Sequence, residues 1–444
     1  MNGQLTQPTT LLVGGFAATI LLGTLLLLLP VSQADPAQAT GFMTALFTAT
    51  SAVCVTGLVV VDTGTHWSGF GQAVIMGLFQ LGGFGMMTSA TLLGLLVNRQ
   101  MRLRSRLLLQ TETHALSLGD VRSVAKLVFG VTLVVELTVA LALGLRWWLA
   151  HDVALSEAAW LGLFHAVSAF NNAGFSTYSD SVMGFATDPA ILGPLMLAIV
   201  IGGLGFPVLH ELMLRRRDRV RMSMHVSLTL WGSLILIVLG TVVLFLSERW
   251  RPETLGALSL ADAWWVALFT SVSARTAGFN AVDIGALGIE SLTLHYFLMF
   301  VGGGSAGTAG GVKVTTFFVL LLVVWNEVRG NRDVEYGGRR VAESAQRQAL
   351  SILVLSSAVI VLAMLALLPM TTHPYHQVLF EVISAFATVG LSTGITADLP
   401  EAGQFVLVML MFIGRVGVVT LAVALALNHN RRPYRYPEEK PIVG

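Results

Sequence analysis

Apolar positions along this chain gather into long uninterrupted runs near residues 9–30, 70–97, 123–149, 189–214, 224–247, 288–328, 349–369 and 401–428. Each is long enough to cross about 30 Å of hydrocarbon as a helix. Between the first and second run of each pair lies a shorter apolar segment, near 40–52, 157–169, 261–273 and 374–386. At about 1.5 Å per residue, such a segment reaches only about halfway through a bilayer. Helix-start signals precede them: Thr40, Ser156 with Glu157, Ser259 with Asp262, and Thr372 followed by Pro374 in the expected first turn. The pattern predicts spanning helix, half-length helix, loop and spanning helix, four times over.

The end of each half helix repeats. Leu46 to Leu58 contains Ser51-Ala52 and ends Thr56-Gly57-Leu58; Leu163 to Phe175 has Ser168-Ala169 and ends Ala173-Gly174-Phe175. Leu268 to Phe279 has Ser273-Ala274 and Ala277-Gly278-Phe279, one residue shorter before its Gly, and Leu379 to Leu391 has Ser384-Ala385 and Val389-Gly390-Leu391. The expected organisation is therefore repeat 1 over 9–97, repeat 2 over 121–214, repeat 3 over 223–328, repeat 4 over 348–428 and a tail over 429–444. A unit crossing the bilayer twice returns to its starting side, so all four share one orientation. The predicted fold is an all-α membrane protein, four M1–P-loop–M2 repeats in pseudo-fourfold arrangement around a central pore. The first run lacks a preceding Lys or Arg and exceeds a secretory core in length, so it reads as a retained helix.

Composition agrees. Of 444 residues, 55% are hydrophobic and 11% charged, against about 25% charged in soluble proteins. One cysteine, Cys54, rules out an intrachain disulfide framework. Charge is lopsided: 20 of the 26 basic residues fall between the units or in the tail, namely Arg99, Arg102, Arg104, Arg106, Arg122, Lys126, Arg215, Arg216, Arg217, Arg219, Arg221, Arg329, Arg332, Arg339, Arg340, Arg347, Arg431, Arg432, Arg435 and Lys440. That face is cytoplasmic by the positive-inside rule, with both termini inside and the half helices entering from outside. Trp67, Trp147, Trp148, Trp160, Trp250, Trp264 and Trp265 are expected in the outer aromatic belt. No basic face interleaved with aromatics suggests a nucleic-acid partner.

Irregular backbone at membrane depth survives only where protein or water surrounds it. Four such stretches about one axis should line a pore, where a ring of carbonyls replaces a cation's hydration shell. The half helices aim their partially negative C-terminal ends at its centre. The expected filter is Val55-Thr56-Gly57, Asn172-Ala173-Gly174, Thr276-Ala277-Gly278 and Thr388-Val389-Gly390, with K+ as the metal held there. The bland alternative, glycines serving only close helix packing, is weakened by four copies in register.

A second small-residue motif follows each filter: Gly82-Gly83-Phe84-Gly85, Gly202-Gly203-Leu204-Gly205, Gly302-Gly303-Gly304 and Gly414-Arg415-Val416-Gly417. In three units close helix packing explains it. In the third it extends through Ser305, Ala306, Gly307, Thr308, Ala309, Gly310 and Gly311, too glycine-rich for a helix, so that run is two helical pieces around a loop. Gly302-x-Gly304-x-x-Gly307 with Glu327 satisfies a dinucleotide fingerprint, but its lipid-length apolar flanks exclude that context. Intramembrane charges are functional by default. Arg415 should face the axis beside this loop; Lys313 either does likewise or snorkels. Glu136 pairs within the bundle, Arg275 and Glu381 support filter loops from behind, and Cys54 packs behind the first.

One glycine-centred filter segment per unit and four units per chain resembles the Trk/Ktr/HKT superfamily of cation transporters, over essentially the whole chain. The start at the first repeat and the ending Arg435-Tyr436-Pro437-Glu438-Glu439-Lys440 look most like its KtrB-type bacterial potassium-translocating subunits. The resemblance carries the filter glycines onto Gly57, Gly174, Gly278 and Gly390. In plant relatives a Ser at the first goes with sodium preference, so Gly57 implies potassium. It also implies a gate made of residues 302–311 with Lys313 and Arg415, a homodimer, and a cytoplasmic ring of nucleotide-binding (RCK-type) regulatory subunits in a bacterial plasma membrane. The chain itself would hold no cofactor; Na+ would be at most an activator, and the nucleotide would sit on the partner. The alternative is a Na+-coupled or Na+-selective secondary transporter, against which parallel repeats and scarce buried acids argue. An enzyme would need converging His, Asp or Ser groups at one depth, which the sequence does not offer.

Overall fold

The computed structural model describes residues 8–35, 39–99, 121–218 and 222–417. It is mostly helical. The first unit has α1 (Pro8–Leu27), α2 (Phe42–Val53) and α3 (Gly69–Arg99); the second has α4 (Val121–Ala150), α5 (Leu155–Phe170), α6 (Pro189–Leu204) and α7 (Phe206–Asp218). The third has α8 (Met224–Glu248), α9 (Leu260–Ser273), α10 (Ile289–Phe300) and α11 (Val314–Val328), and the fourth α12 (Glu343–Leu367), α13 (Tyr375–Ala387) and α14 (Glu401–Val416). Between α11 and α12 a small antiparallel hairpin pairs Glu335 with Arg340 and Tyr336 with Arg339. The tail over 429–444, the end of the last apolar run, and Arg102, Arg104, Arg106, Arg219 and Arg221 lie outside the described residues.

Three of the eight expected spans are continuous apolar helices long enough to cross a membrane, within Leu127–Ala150, Met224–Glu248 and Glu343–Met370, among the described residues. Their outward faces are apolar: Leu133, Val134, Leu137 and Leu141 on α4, and Val361, Leu362 and Leu365 on α12 are exposed. Such stripes suit contact with lipid rather than water. The run 288–328 divides into α10 and α11 around an irregular loop, as its glycines require. The run 189–214 does not remain one helix. It bends by 95° between α6 and α7 at Gly205, whose φ is +91°. The cause is tertiary. The loop of the third unit seats against the end of α6, where Gly304 N–H donates to the Gly203 carbonyl (2.8 Å) and Thr308 N–H to that of Gly202 (3.2 Å), so those carbonyls are satisfied without another helical turn.

The four half helices, α2, α5, α9 and α13, form where apolar residues call for them, but only one start signal acts as a cap. Ser259 accepts from Asp262 N–H (3.2 Å) and donates to its carboxylate (2.6 Å). Thr40 instead bonds the ring of His66 (3.0 Å) while Gly41 is the N-cap of α2, and Ser156 lies inside α5, which begins one residue earlier after Ala154. Pro374 is the N-cap of α13 rather than part of its first turn. Glycine, Ala or Pro suffices at these sites because neighbouring segments, not caps, position the helices. The tryptophans expected in the belt differ in exposure. Trp148, Trp250 and Trp264 are exposed, but Trp67 and Trp147 are buried, the latter among His165, Tyr178 and Phe185.

In the loop just before α6, Asp188 accepts from Arg146 Nε (2.8 Å) and from the His151 ring (3.0 Å), tying α4 to α6. Burial works against the charge of Asp188, but hydrogen bonds from Arg146 and His151 outweigh it and hold the carboxyl below its ordinary value. A depressed carboxyl contributes stability above its unfolded pKa and loses it as pH falls through the folded one. Asp188→Asn should therefore lower the melting temperature of detergent-solubilised protein by about 2–4 °C near neutral pH. That gap should close below about pH 4, and a gap that widened on acidification would contradict this account.

Candidate ion-binding site

Beyond each half helix the backbone takes the same conformation in the same register. The first and third residues of each triplet have positive φ: Val55 (57°) and Gly57 (90°), Asn172 (57°) and Gly174 (70°), Thr276 (72°) and Gly278 (81°), Thr388 (50°) and Gly390 (93°). In an extended chain successive carbonyls alternate sides; inverting φ at every other residue turns them the same way. The middle residue in each case returns its N–H to a helix carbonyl: Thr56 to Ser51 (2.7 Å), Ala173 to Ser168 (2.8 Å), Ala277 to Ser273 (2.9 Å) and Val389 to Ser384 (2.9 Å). Positive φ at Val55, where a branched β-carbon opposes it, marks a backbone held by its surroundings.

The four triplets meet. A β-carbon at Gly57 would lie 3.0 Å from Gly174 Cα, one at Gly174 2.9 Å from Gly278 Cα, one at Gly278 3.3 Å from Gly390 Cα, and one at Gly390 3.1 Å from Gly57 Cα. Each would also press on a backbone carbonyl oxygen of the next triplet, that of Ala173, Ala277, Val389 or Thr56 in turn. The contacts close on themselves in chain order. Shortening of the third copy does not displace Thr276-Ala277-Gly278 from this ring; the missing residue lies between Ser273 and the triplet.

Those serines were legible as the repeated Ser-Ala but received no role from the sequence. Ser51 Oγ accepts from Gly57 N–H (3.0 Å) and Ser384 Oγ from Gly390 N–H (3.2 Å). Ser168 Oγ donates to the Phe175 carbonyl (2.8 Å), and Ser273 Oγ to that of Phe279. Each half helix thus fastens its own triplet through one buried hydroxyl. Glu381, fully buried, holds the loop that follows the fourth triplet, accepting from Ser392 Oγ (2.6 Å), Thr393 N–H (2.9 Å) and Thr396 Oγ1 (2.8 Å). Glu136 sits behind the second triplet, accepting from Asn171 Nδ2 (3.2 Å) and Gln80 Nε2 (3.3 Å). Cys54 is buried beside the first.

The second glycine motif has a steric basis in three units. A β-carbon at Gly82, Gly202 or Gly414 would strike the carbonyl of Val53, Phe170 or Phe386, at the end of that unit's half helix. In the third unit Gly302 to Gly311 form a loop closed at its neck, with Gly302 N–H donating to Val312 O, Val312 N–H to Phe300 O and Val314 N–H to Gly303 O, each 3.0 Å. Two buried arginines and a half-buried lysine hold it. Arg415 donates from Nη1 to the Thr308 carbonyl (2.5 Å) and from Nη2 to that of Gly82 (3.1 Å), Lys313 Nζ donates to Ala309 O (2.5 Å), and Arg275 Nη2 to Gly302 O (2.9 Å). Lys313 thus turns to the loop rather than snorkelling. Arg275, expected to brace the filter, braces the loop and Ser233 instead.

Among known proteins, residues 9–433 match the family model TrkH, cation transport protein. The chain is 39% identical to the Ktr system potassium uptake protein B of Bacillus subtilis (strain 168), covering 98% of this chain and 97% of that one. It is 37% identical to the protein of the same description from Vibrio alginolyticus (99% and 95% covered), and 34% identical to the potassium/sodium uptake protein NtpJ of Enterococcus hirae (99% and 97%). Its fold is similar to the crystal structure of the potassium transporter TrkH from Vibrio parahaemolyticus, with a TM-score of 0.71 at 19% identity over 94% of this chain and 85% of that one. Four glycine triplets drawn into one ring, long apolar helices and a match over nearly the full length agree: this chain is an integral membrane protein belonging to the TrkH family of cation transport proteins.

Proposed function

We propose that the chain is the ion-translocating subunit of a potassium uptake system, conducting K+ down the membrane potential through a filter of backbone carbonyls. The observation that carries this reading is the closed succession of four triplets with positive φ at the same two positions of each. Such a backbone supports carbonyls turned toward a common axis, where they substitute for water around a dehydrated cation. The repeats over 9–97, 121–214, 223–328 and 348–428 then stand in pseudo-fourfold array, each contributing one triplet. Residues 302–311 are the gate. Pinned below the filter by Arg415, Lys313 and Arg275, they obstruct the passage and put positive charge beside it, so conduction requires their displacement. The description of two full-length relatives as Ktr system proteins supports a subunit of a multi-component system. On that reading the chain forms a homodimer with a pore in each protomer, and a cytoplasmic RCK-type ring binds nucleotide and moves the loop, with both termini on that side of a bacterial plasma membrane. Sodium, if it acts, does so as an activator.

Purified protein reconstituted in planar bilayers should carry a large K+ current reversing near the K+ equilibrium potential. A coupled carrier would instead show transport without large uncoupled current, and that result would reject the channel-like reading.

A further inference from the structure

The loop of the third unit touches the first residues of the second, third and fourth triplets. Thr308 Oγ1 lies 3.3 Å from both Asn172 Oδ1 and the Phe170 carbonyl, linking the loop to the first residue of the second triplet and to the helix before it. Gly302 packs so closely on Thr276, the first residue of the third triplet, that a β-carbon would stand 3.1 Å from Thr276 Cγ2. Arg275, one residue earlier in the chain, holds Gly302 O. Gly310 leaves no room for a β-carbon against Thr388 Oγ1, the first residue of the fourth triplet. The first triplet is different. Its first residue, Val55, is apolar, and Val55 Cγ2 would lie 2.9 Å from a β-carbon at Gly82 of its own unit.

From these contacts we infer that the loop is latched directly to the filter, through Thr308–Asn172 and Gly302–Arg275, so that loop and filter form one two-state element rather than a gate and a sieve in series. Asn172 and Arg275 are the positioning residues of that latch. This rests on the filter and gate reading above and deepens it: displacing the loop frees the first residues of triplets two, three and four while the first triplet keeps its geometry. A bistable element biased from both sides couples those sides reciprocally. Withdrawal of the loop should therefore relax ion discrimination, and occupancy of the filter by K+ should favour one loop position. Arg415 acts on the same latch, because the residue whose carbonyl it holds, Thr308, carries the hydroxyl that reaches Asn172.

Thr308→Val tests the latch with little change of shape: it removes the hydroxyl but keeps the carbonyl for Arg415 and the N–H for Gly202. In bilayers without the regulatory partner, Thr308→Val should raise the current and shift the K+/Na+ permeability ratio on the order of 5-fold. Asn172→Gly, which tolerates the positive φ, should do the same, and the double variant should go no further than either single one. Arg275→Met should shift the ratio as well, with Arg275→Lys restoring most of it through a single bond to Gly302 O. Should Arg275→Met not assemble, the near-isosteric Thr308→Val decides alone. Raised current at an unchanged permeability ratio, no change in either quantity, or effects that multiply in the double variant would each overturn the latch. Gly57→Ser in the same bilayers separates the two levels. If it leaves the ratio unchanged the filter reading itself fails; if it shifts the ratio while Thr308→Val does not, only the latch fails.

Discussion

Gly57→Ser should weaken K+ preference while leaving the protein folded. The φ of Gly57 is +90°, where a β-carbon is strained, and that carbon would meet the Ala173 carbonyl and Gly174 Cα of the next triplet. Strain of this kind costs about 1–3 kcal/mol. Here it would be relieved by moving carbonyls away from their spacing, because the ring leaves no other space. About 1.4 kcal/mol of lost difference between two cations is tenfold in their ratio, so K+/Na+ discrimination should fall on the order of 10-fold. Complementation of a K+-uptake-deficient strain at low external K+ should then fail and recover at high K+. Unchanged ion preference would remove the filter assignment, and equivalent substitutions at Gly174, Gly278 and Gly390 should behave alike because each meets the next triplet in the same way.

Removal of residues 304–310 should have the opposite effect on flux. The deletion takes away the Thr308 and Ala309 carbonyls, acceptors for Arg415 and Lys313, while retaining the Gly302 carbonyl held by Arg275. A hydrogen bond to a charged group contributes about 1.5–3 kcal/mol; losing one shifts the closed-to-open ratio about tenfold or more. Ion flux into vesicles lacking the regulatory partner should rise by at least that factor. A variant that assembles normally but conducts no better than the parent would mean that the loop does not close the pathway. Both buried arginines keep a partner after the deletion. Arg415 keeps the Gly82 carbonyl, and Arg275 keeps Ser233, so neither is stranded in the core.

Much of this site was readable in advance because backbone conformations at membrane depth leave strong sequence marks. Gly57, Gly174, Gly278 and Gly390 stood out through their repetition, and the glycines of 302–311 because no helix accommodates so many. The membrane-length runs announced themselves for the same reason: lipid leaves exposed apolar faces such as that of α4 unpenalised. Where the reading strayed, the missing information was a contact between distant segments. Gly205 looked like a helix-packing residue, yet α6 stops there because the third unit's loop takes up its last carbonyls. Arg275 sits within three residues of Gly278, which suggested filter support, while its guanidinium reaches the loop over a separation no local pattern encodes. Thr40 and Ser156 carry capping chemistry, but His66 claims the first and the second falls inside a helix begun by Leu155. Trp67 and Trp147 have the composition of belt residues and the surroundings of core ones.

Sequence alone marked membrane-length apolar runs, four glycine-centred segments between them and the interruption of the third unit's last span. These follow from hydrophobic length, from glycine's access to positive φ and from the failure of glycine-rich segments to hold a helix, all properties of adjacent residues. The closure of the triplets into a ring, the break at Gly205, the serine hydroxyls that fasten each triplet and the anchoring of the loop to Asn172, Arg275, Lys313 and Arg415 came from the folded chain. Each of these depends on groups mostly far apart in sequence finding the few donors and acceptors available where water is excluded, and a buried polar group accepts whichever partner packing brings within reach.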